Sequence, residues 1–316
     1  MDAWRHDYTS IGFYTFDCLG WPIAAIPPGG GTLFIDELTM AVSGAAGTAV
    51  IAAAKMGLDC LAVGGVGDDL MGDWVLDRIA HFGVDISGMQ RLAGCRTSSS
   101  IVLTRADGSR PALHMKGATG DFYVDDEMMK QVIDARVVHI GGIGLMDRMD
   151  KGRNAELMKR AKAHGATTTL DIFAGSPDDL PAVAQVLPHI DYFIPSVEEA
   201  QALTSLTDMN DMARHFIDIG ARCCIFTLGA DGAYYHHSDG TIFKVPAFAV
   251  DVKCTCGCGD AFNAGFAVGL CRGFDPKTAV RFAQATSALN ATGLGSQAGV
   301  ESFEHTLDFM KTAKTR

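Results

Sequence analysis

The chain has 316 residues, 48% of them hydrophobic and 20% charged, enough apolar material for one large core or for a main domain with a small appendage. A net charge of −11 disfavours nonspecific nucleic-acid binding, because phosphate backbones call for a basic surface. Nine cysteines, an odd count in a chain large enough to need no staples, fit a reduced compartment. The start MDAWRHDYTS lacks the basic flank and apolar core of a secretion signal, and the most apolar stretch, AVSGAAGTAVIAAAKMG, is too broken by Ser, Gly and Thr to span a bilayer. A cytoplasmic globule without membrane contact is expected.

In chain order, VIAAAKMG (50–57) reads as a helix and CLAVGGVG (60–67) as a strand. WVLDRIAHFG (74–83) spaces its apolar residues for a helix and ends at a glycine, a common C-terminal signal. ARVVHIGGI (135–143) reads as a buried strand, NAELMKRAKAHG (154–165) as a helix and ATTTLDIF (166–173) as a strand. DYFIPS (191–196), a helix through EEAQAL, RCCIFTLG (222–229) and a helix from Asp260 continue the series. Apolar strands alternating with helices predict an α/β fold, its mainly parallel sheet covered by helices on both faces. Ligands on such sheets bind beyond the carboxyl ends of the strands.

Two regions, about 13–42 and 96–120, break the alternation. Both show period-2 patterns and turn signals such as PPGGG and DGSR, which predict antiparallel strands. Neither is long enough to be a domain. The expectation is one domain over 1–316, with a small antiparallel β lid built from these two segments. Exposed lid strands have edges that pair readily, so a homodimer joined through the lids is expected. His114, in the second segment, is read as packing within the lid, and His236 and His237 as decorating a hairpin.

The stretch KCTCGCGDAFNAGF (253–266) alternates three cysteines with small residues. On a strand they would share one side, like a metal edge. Structural zinc needs a full tetrahedral set, commonly two spaced pairs, and Cys223-Cys224 are neighbours that would face opposite ways in a strand. The cysteines therefore read as small buried residues. Gly257-Cys258-Gly259-Asp260 leads into an apolar helical pattern. Glycines flanking one small residue let successive amides point into a common hollow, and a helix N-terminus adds positive potential. From these residues alone, Asp260 is either part of an anion site or an ordinary helix-start aspartate.

GCGDAFNAGF resembles the GAGDAFxAGF signature of the ribokinase-like (PfkB-type) carbohydrate kinases. The likeness extends along the chain. IGFYTFD (11–17) is similar to a first strand ending in a substrate-binding aspartate, and SGAAGTAVIAAAKMG (43–57) to the glycine pair and helix of the sugar site. GVGDDLMGD (65–73) resembles the second-strand motif and PSVEEA (195–200) the PNxxEA element. TLGADGA (227–233) is similar to the nucleotide strand-turn, and AQATSALNATGLGS (283–296) to the adenine-side helix and loop. No G-x-x-x-x-G-K-[ST] loop or G-x-G-x-x-G spacing competes with this reading.

The resemblance implies transfer of the γ-phosphoryl of ATP to an alcohol. Asp260 would be the base, the amides of Gly257, Cys258 and Gly259 the anion hole, and Mg2+ the phosphate counter-ion. Asp17, Ser43, Gly44 and Thr48 would bind the sugar together with Asp260. Ser196, Thr227, Gly229 and Gly232 would line the nucleotide site, Gln284 would reach the adenine side, and Glu199 would act on magnesium through water.

Departures from the pattern are Cys254-Thr255-Cys256 where an Asp-Thr pair is usual, Ser43 for a glycine, Thr48 for a sugar-gripping asparagine and Ser196 for the motif asparagine. The first of these leaves the need for a monovalent cation open. The absence of an acidic group in GGIG (141–144) disfavours ribose. Two alternatives remain: a nucleoside kinase with Phe13, Tyr14 and Trp21 stacking on a base, and a catalytically silent sugar-binding regulatory protein.

Overall fold

A computed structural model describes residues 4–173 and 175–316. The chain begins with β1 (His6–Gly12), then crosses to a second sheet with β2 (Thr15–Trp21) and β3 (Glu37–Ser43). It returns through α1 (Ala45–Lys55), β4 (Cys60–Gly67), α2 (Leu70–His81) and β5 (Asp85–Leu92). A second excursion forms β6 (Ser99–Leu103) and β7 (Ala112–Met115). The alternation resumes with α3 (Asp126–Val132), β8 (Ala135–Ile143), α4 (Arg153–His164), β9 (Thr167–Ile172), α5 (Leu180–Val186) and β10 (Tyr192–Phe193). It continues through α6 (Val197–Thr204), α7 (Met209–Ile219), β11 (Cys223–Thr227), β12 (Ala233–His237) and β13 (Ile242–Val245). Three helices, α8 (Cys258–Cys271), α9 (Pro276–Asn290) and α10 (Phe303–Thr312), close the chain.

The main sheet has nine strands in the order β13-β12-β11-β10-β9-β8-β1-β4-β5. It is parallel from β5 to β11, and β12 and β13 add an antiparallel edge. Both faces are covered, as the apolar strands predict. On one face, Ile11, Val63, Val138, Ile140 and Leu170 share a core cluster with Leu157 of α4 and Phe216 of α7. On the other, Tyr8, Ala62 and Val137 cluster with Val50 of α1, Ala264 of α8 and Phe282 of α9. His236 and His237 lie on β12, the first strand of the hairpin it forms with β13, and His236 is buried.

The two segments that break the alternation form the second sheet, in the order β3-β2-β6-β7. β2 pairs antiparallel with β3 and β6 with β7, while β2 and β6 run parallel. Residues directly opposite one another share a face. One row across the strands is Ala41, Asp17, Ser100 and His114; the next is Met40, Cys18, Ile101 and Leu113. Asp17, Ser100 and His114 of the first row look into the cleft beyond the carboxyl ends of the main strands. The second row presents an apolar outer surface on which Met40, Ile101 and Leu113 are 53%, 54% and 60% exposed.

IGFYTFD is not one strand. The main-sheet strand ends at Gly12, and Asp17 lies inside β2 of the second sheet. The cysteines likewise do not share a strand, because Cys258 is the first residue of α8. Cys254 and Cys256 are buried, as their small apolar character predicts. Among the described residues no helix is long and apolar enough to cross a membrane.

Candidate active site

A cleft of about 750 Å³ lies between the second sheet and the carboxyl ends of the main strands. The loop before α8 forms its floor. Gly257 caps α8 with φ +73°, which turns the chain into the helix and sets Asp260 in the first turn. The first N–H groups of a helix have no acceptor within it and carry its positive end. Here the Cys258 amide donates to Thr255 O at 3.3 Å and is engaged within the turn. Asn290 fixes the loop from behind by donating to Cys256 O at 2.7 Å.

Asp260 is partly buried, and burial pushes its carboxyl up to about 6. Arg110, the Thr48 hydroxyl and Asp171 pull against that rise, while Asp17 adds to it. Thr48 is fully buried in α1, and its hydroxyl has no partner within hydrogen-bond distance among the described residues. Asp171, at the end of β9, is buried and held well above the usual carboxylate range by desolvation, with Glu199 and Asp260 adding to the effect. Asn263, one turn along α8 from Gly259, donates to both Asp171 Oδ2 and Gly259 O at 3.1 Å.

At the second-sheet end, Asp17 is 3% exposed. Burial raises its pKa, opposed by hydrogen bonds from Ser100, Ser43 and Thr15 and by His114. His114 does more than pack in the sheet. It lines the cleft, with Nδ1 3.0 Å from Ser100 Oγ and its ring edge-on to Phe13. Ser43 Oγ lies 2.7 Å from Ser296 Oγ, and Gly44 caps α1 with φ +85°. At the other end, Ser196 and Glu199 form a capping box on α6, with Glu199 Oε2 accepting from Ser196 N at 2.9 Å and Oγ at 2.7 Å. Thr227 ends β11 beside them, and its amide donates to Pro195 O at 3.1 Å.

The cleft thus brings together Asp17, Ser43 and Gly44 at one end, Gly257 to Asp260 on the floor, and Ser196, Glu199, Thr227 and Gly229 at the other. Three expected residues do not line it. Thr48 stands behind Asp260, and Gln284 is buried in α9. Gly232 (φ +97°) passes so close to β13 that a Cβ would lie 1.9 Å from Val245 O, so its glycine serves chain packing. Sequence reasoning missed Arg110, Asp171, Asn263 and Ser296. Asp171 and Asn263 carried faint signals, an acidic residue ending an apolar strand and a polar residue inside an apolar helix.

Residues 30–302 match the model of the pfkB family carbohydrate kinases. The chain belongs to that family. Its members are phosphotransferases with alcohol acceptors, so this protein is a carbohydrate kinase. It is 27% identical over 291 residues to ribokinase of Staphylococcus aureus, covering 87% of this chain and 90% of that one. It is 28% identical over 257 residues to 2-dehydro-3-deoxygluconokinase of Thermoproteus tenax, covering 78% of each. The fold is similar to that of Arabidopsis thaliana ribokinase complexed with ribose and ATP, with TM-score 0.83, 21% identity and coverage of 97% and 99%. Giardia lamblia ribokinase is similar too, with TM-score 0.85, 22% identity and coverage of 96% and 99%.

Proposed function

We propose that this kinase transfers the γ-phosphoryl of MgATP to a hydroxyl of a sugar, sugar acid or related polyol, with Asp260 as the base. The observation that carries the reading is the position of Asp260 in the first turn of α8, at the floor of a cleft whose two ends differ in chemistry. Asp17, Ser43 and Ser100 at one end offer acceptors and hydroxyls for a polyol. Thr227, Gly229 and the α6 N-terminus at the other suit a nucleotide phosphate chain. The relatives named above include a structure holding ribose and ATP.

The acceptor hydroxyl loses its proton to Asp260 as its oxygen attacks phosphorus, and the amides at the α8 N-terminus meet the charge on the transferring group. A hard oxygen donor set suits magnesium, and Glu199, with Asp171 near it, would be the carboxylate that orients the ion's water ligands. Bound magnesium would neutralise phosphate charge in a cleft that otherwise carries several carboxylates. The second sheet acts as a lid that excludes water, which would compete as acceptor. Its outer apolar row fits a homodimer in which two lids pack face to face.

The nucleoside reading is weaker on this geometry. Of its aromatic candidates Phe13 lines the cleft, but Tyr14 is fully buried with its hydroxyl donating to Ser10 O at 2.8 Å. Trp21 packs under the Lys253 ammonium, 5.1 Å from the ring centre. The test is ADP release from MgATP across pentoses, hexoses, keto-sugar acids and nucleosides. Turnover on one sugar class is expected. A nucleoside as sole acceptor would replace this reading, and silence accompanied by ligand-induced thermal shifts would indicate a binding protein.

A further inference from the structure

The loop that leads into α8 carries two thiols that the transfer chemistry does not use. Cys254 is fully buried and Cys256 is 7% exposed. Both belong to one small apolar cluster with Leu19 of β2, Val102 of β6 and Leu294. The Cys254 side chain folds along the loop, so that the Cys256 amide donates to its Sγ at 3.4 Å. Thr104, just after β6, brings its hydroxyl within 3.7 Å of the same sulfur.

Cys256 lines the cleft. Its Sγ lies 4.0 Å from Asp17 Oδ2, placed to donate, and accepts from Ser296 Oγ at 3.8 Å. This thiol is thus a direct contact between the loop before α8 and the buried carboxylate at the acceptor end. Asn290 holds the same residue from behind through its bond to Cys256 O.

The two sulfurs are neighbours and they are not equivalent. A hydrogen bond from the Cys256 thiol, helped by the Cys256 and Gly295 amides, lowers the pKa of Cys254 against the opposing effect of burial. The same bond, together with burial, raises that of Cys256, which keeps its proton. That proton is set between two acceptors, the Asp17 carboxylate and the Cys254 sulfur. A thiol that opens on a cleft with a thiolate beside it has its resolving partner in place when it is oxidised. All nine cysteines are free thiols in this structure.

We propose that Cys254 and Cys256 form a redox modification site, closing to a disulfide that takes the Cys256 thiol away from Asp17 and weakens acceptor binding. The oxidant is a hydroperoxide small enough to enter the cleft. The Cys256 sulfur attacks one peroxide oxygen, the O–O bond breaks, and a sulfenic acid forms while water leaves with the thiol proton. The Cys254 sulfur then attacks that sulfur, the S–O bond breaks, and the departing hydroxide takes a proton from solvent. The pair gives up two electrons, and one hydrogen peroxide becomes two waters. A dithiol reverses the change by thiol–disulfide exchange. The bridge spans only Thr255, so closure asks for movement within this loop alone. Its formation is independent of the kinase reading, whereas its effect on turnover rests on that reading, with Asp17 at the acceptor.

The test uses the full chain, reduced, treated with hydrogen peroxide and then blocked with iodoacetamide. Trypsin releases the segment between Lys253 and Arg272, which holds Cys254, Cys256, Cys258 and Cys271. Its fragments should show Cys254 and Cys256 unblocked and short of two hydrogens, with Cys258 and Cys271 alkylated. On the acceptor found by the sugar panel, peroxide should raise the acceptor KM by about fivefold, the equivalent of one hydrogen bond. The KM for MgATP should stay near its reduced value, and dithiothreitol should restore the acceptor KM. Cys254→Ser, checked for an unchanged melting temperature, should turn over near wild type and resist peroxide. Cys18→Ser and Cys95→Ser, which remove partly exposed thiols elsewhere, should remain sensitive.

Alkylation of both Cys254 and Cys256 after peroxide treatment would overturn the inference, and so would undiminished sensitivity in Cys254→Ser. A mapped bridge with an unchanged acceptor KM would overturn its link to Asp17. A wild-type chain that turns over no acceptor would overturn the kinase reading alone, since the bridge is mapped without it.

Discussion

Asn263 donates to Asp171 at 3.1 Å, and through that bond the first turns of α8 are tied to the end of β9. Asp171 in turn faces Asp260, and its pull holds the Asp260 carboxyl lower than burial alone would. The base must be ionised to accept a proton, and with a pKa of about 6 it is protonated at lower pH. Below that value kcat/KM is therefore expected to fall about tenfold per pH unit. Asp171→Ala removes the downward pull, so the acid limb should move to higher pH. Profiles of both proteins between pH 5 and 8 check this, and an unmoved limb in the variant would uncouple Asp171 from the base.

Much of this site was legible because its chemistry is local in sequence. The turn, the helix start and Asp260 are contiguous, and the strands at 60–67 and 135–143 have the bounds their apolar runs imply. What was not legible depends on distant segments meeting. Arg110 lines the cleft from a turn whose Gly108 accepts from Thr255, and Asp171 joins the site because β9 ends beside α8. The first-strand reading failed at Gly12 because the alternating pattern runs on through Asp17, and nothing local marks the jump to another sheet.

Potassium should be dispensable. In the 254–256 segment Cys254 stands where the family pattern has a carboxylate, and soft sulfur is a poor ligand for a hard cation. The segment is also tied down, with Cys254 N donating to Ala291 O after α9 at 3.3 Å and Cys256 N to Cys254 Sγ at 3.4 Å. Turnover in potassium, sodium and a bulky organic cation should agree closely. A strong dependence on potassium would contradict this.

The outer row of the second sheet predicts a dimer. Ile101 and Leu113 are opposite one another on β6 and β7 and more than half exposed. Replacing both with glutamate puts charge in the centre of the proposed contact while leaving the cleft-facing row untouched. Light scattering after size exclusion should show a dimer for wild type and a monomer for the double variant. A monomeric wild type at micromolar concentration would remove the lid-to-lid interface.

The central claim is that Asp260 takes the acceptor's proton, and Asp260→Asn tests it most directly. The amide has nearly the same shape but cannot serve as the base. With MgATP and the acceptor identified by the sugar panel, ADP release should fall by about 10²–10⁴-fold, while the melting temperature and MgADP affinity stay near wild type. Full turnover by Asp260→Asn would contradict that role.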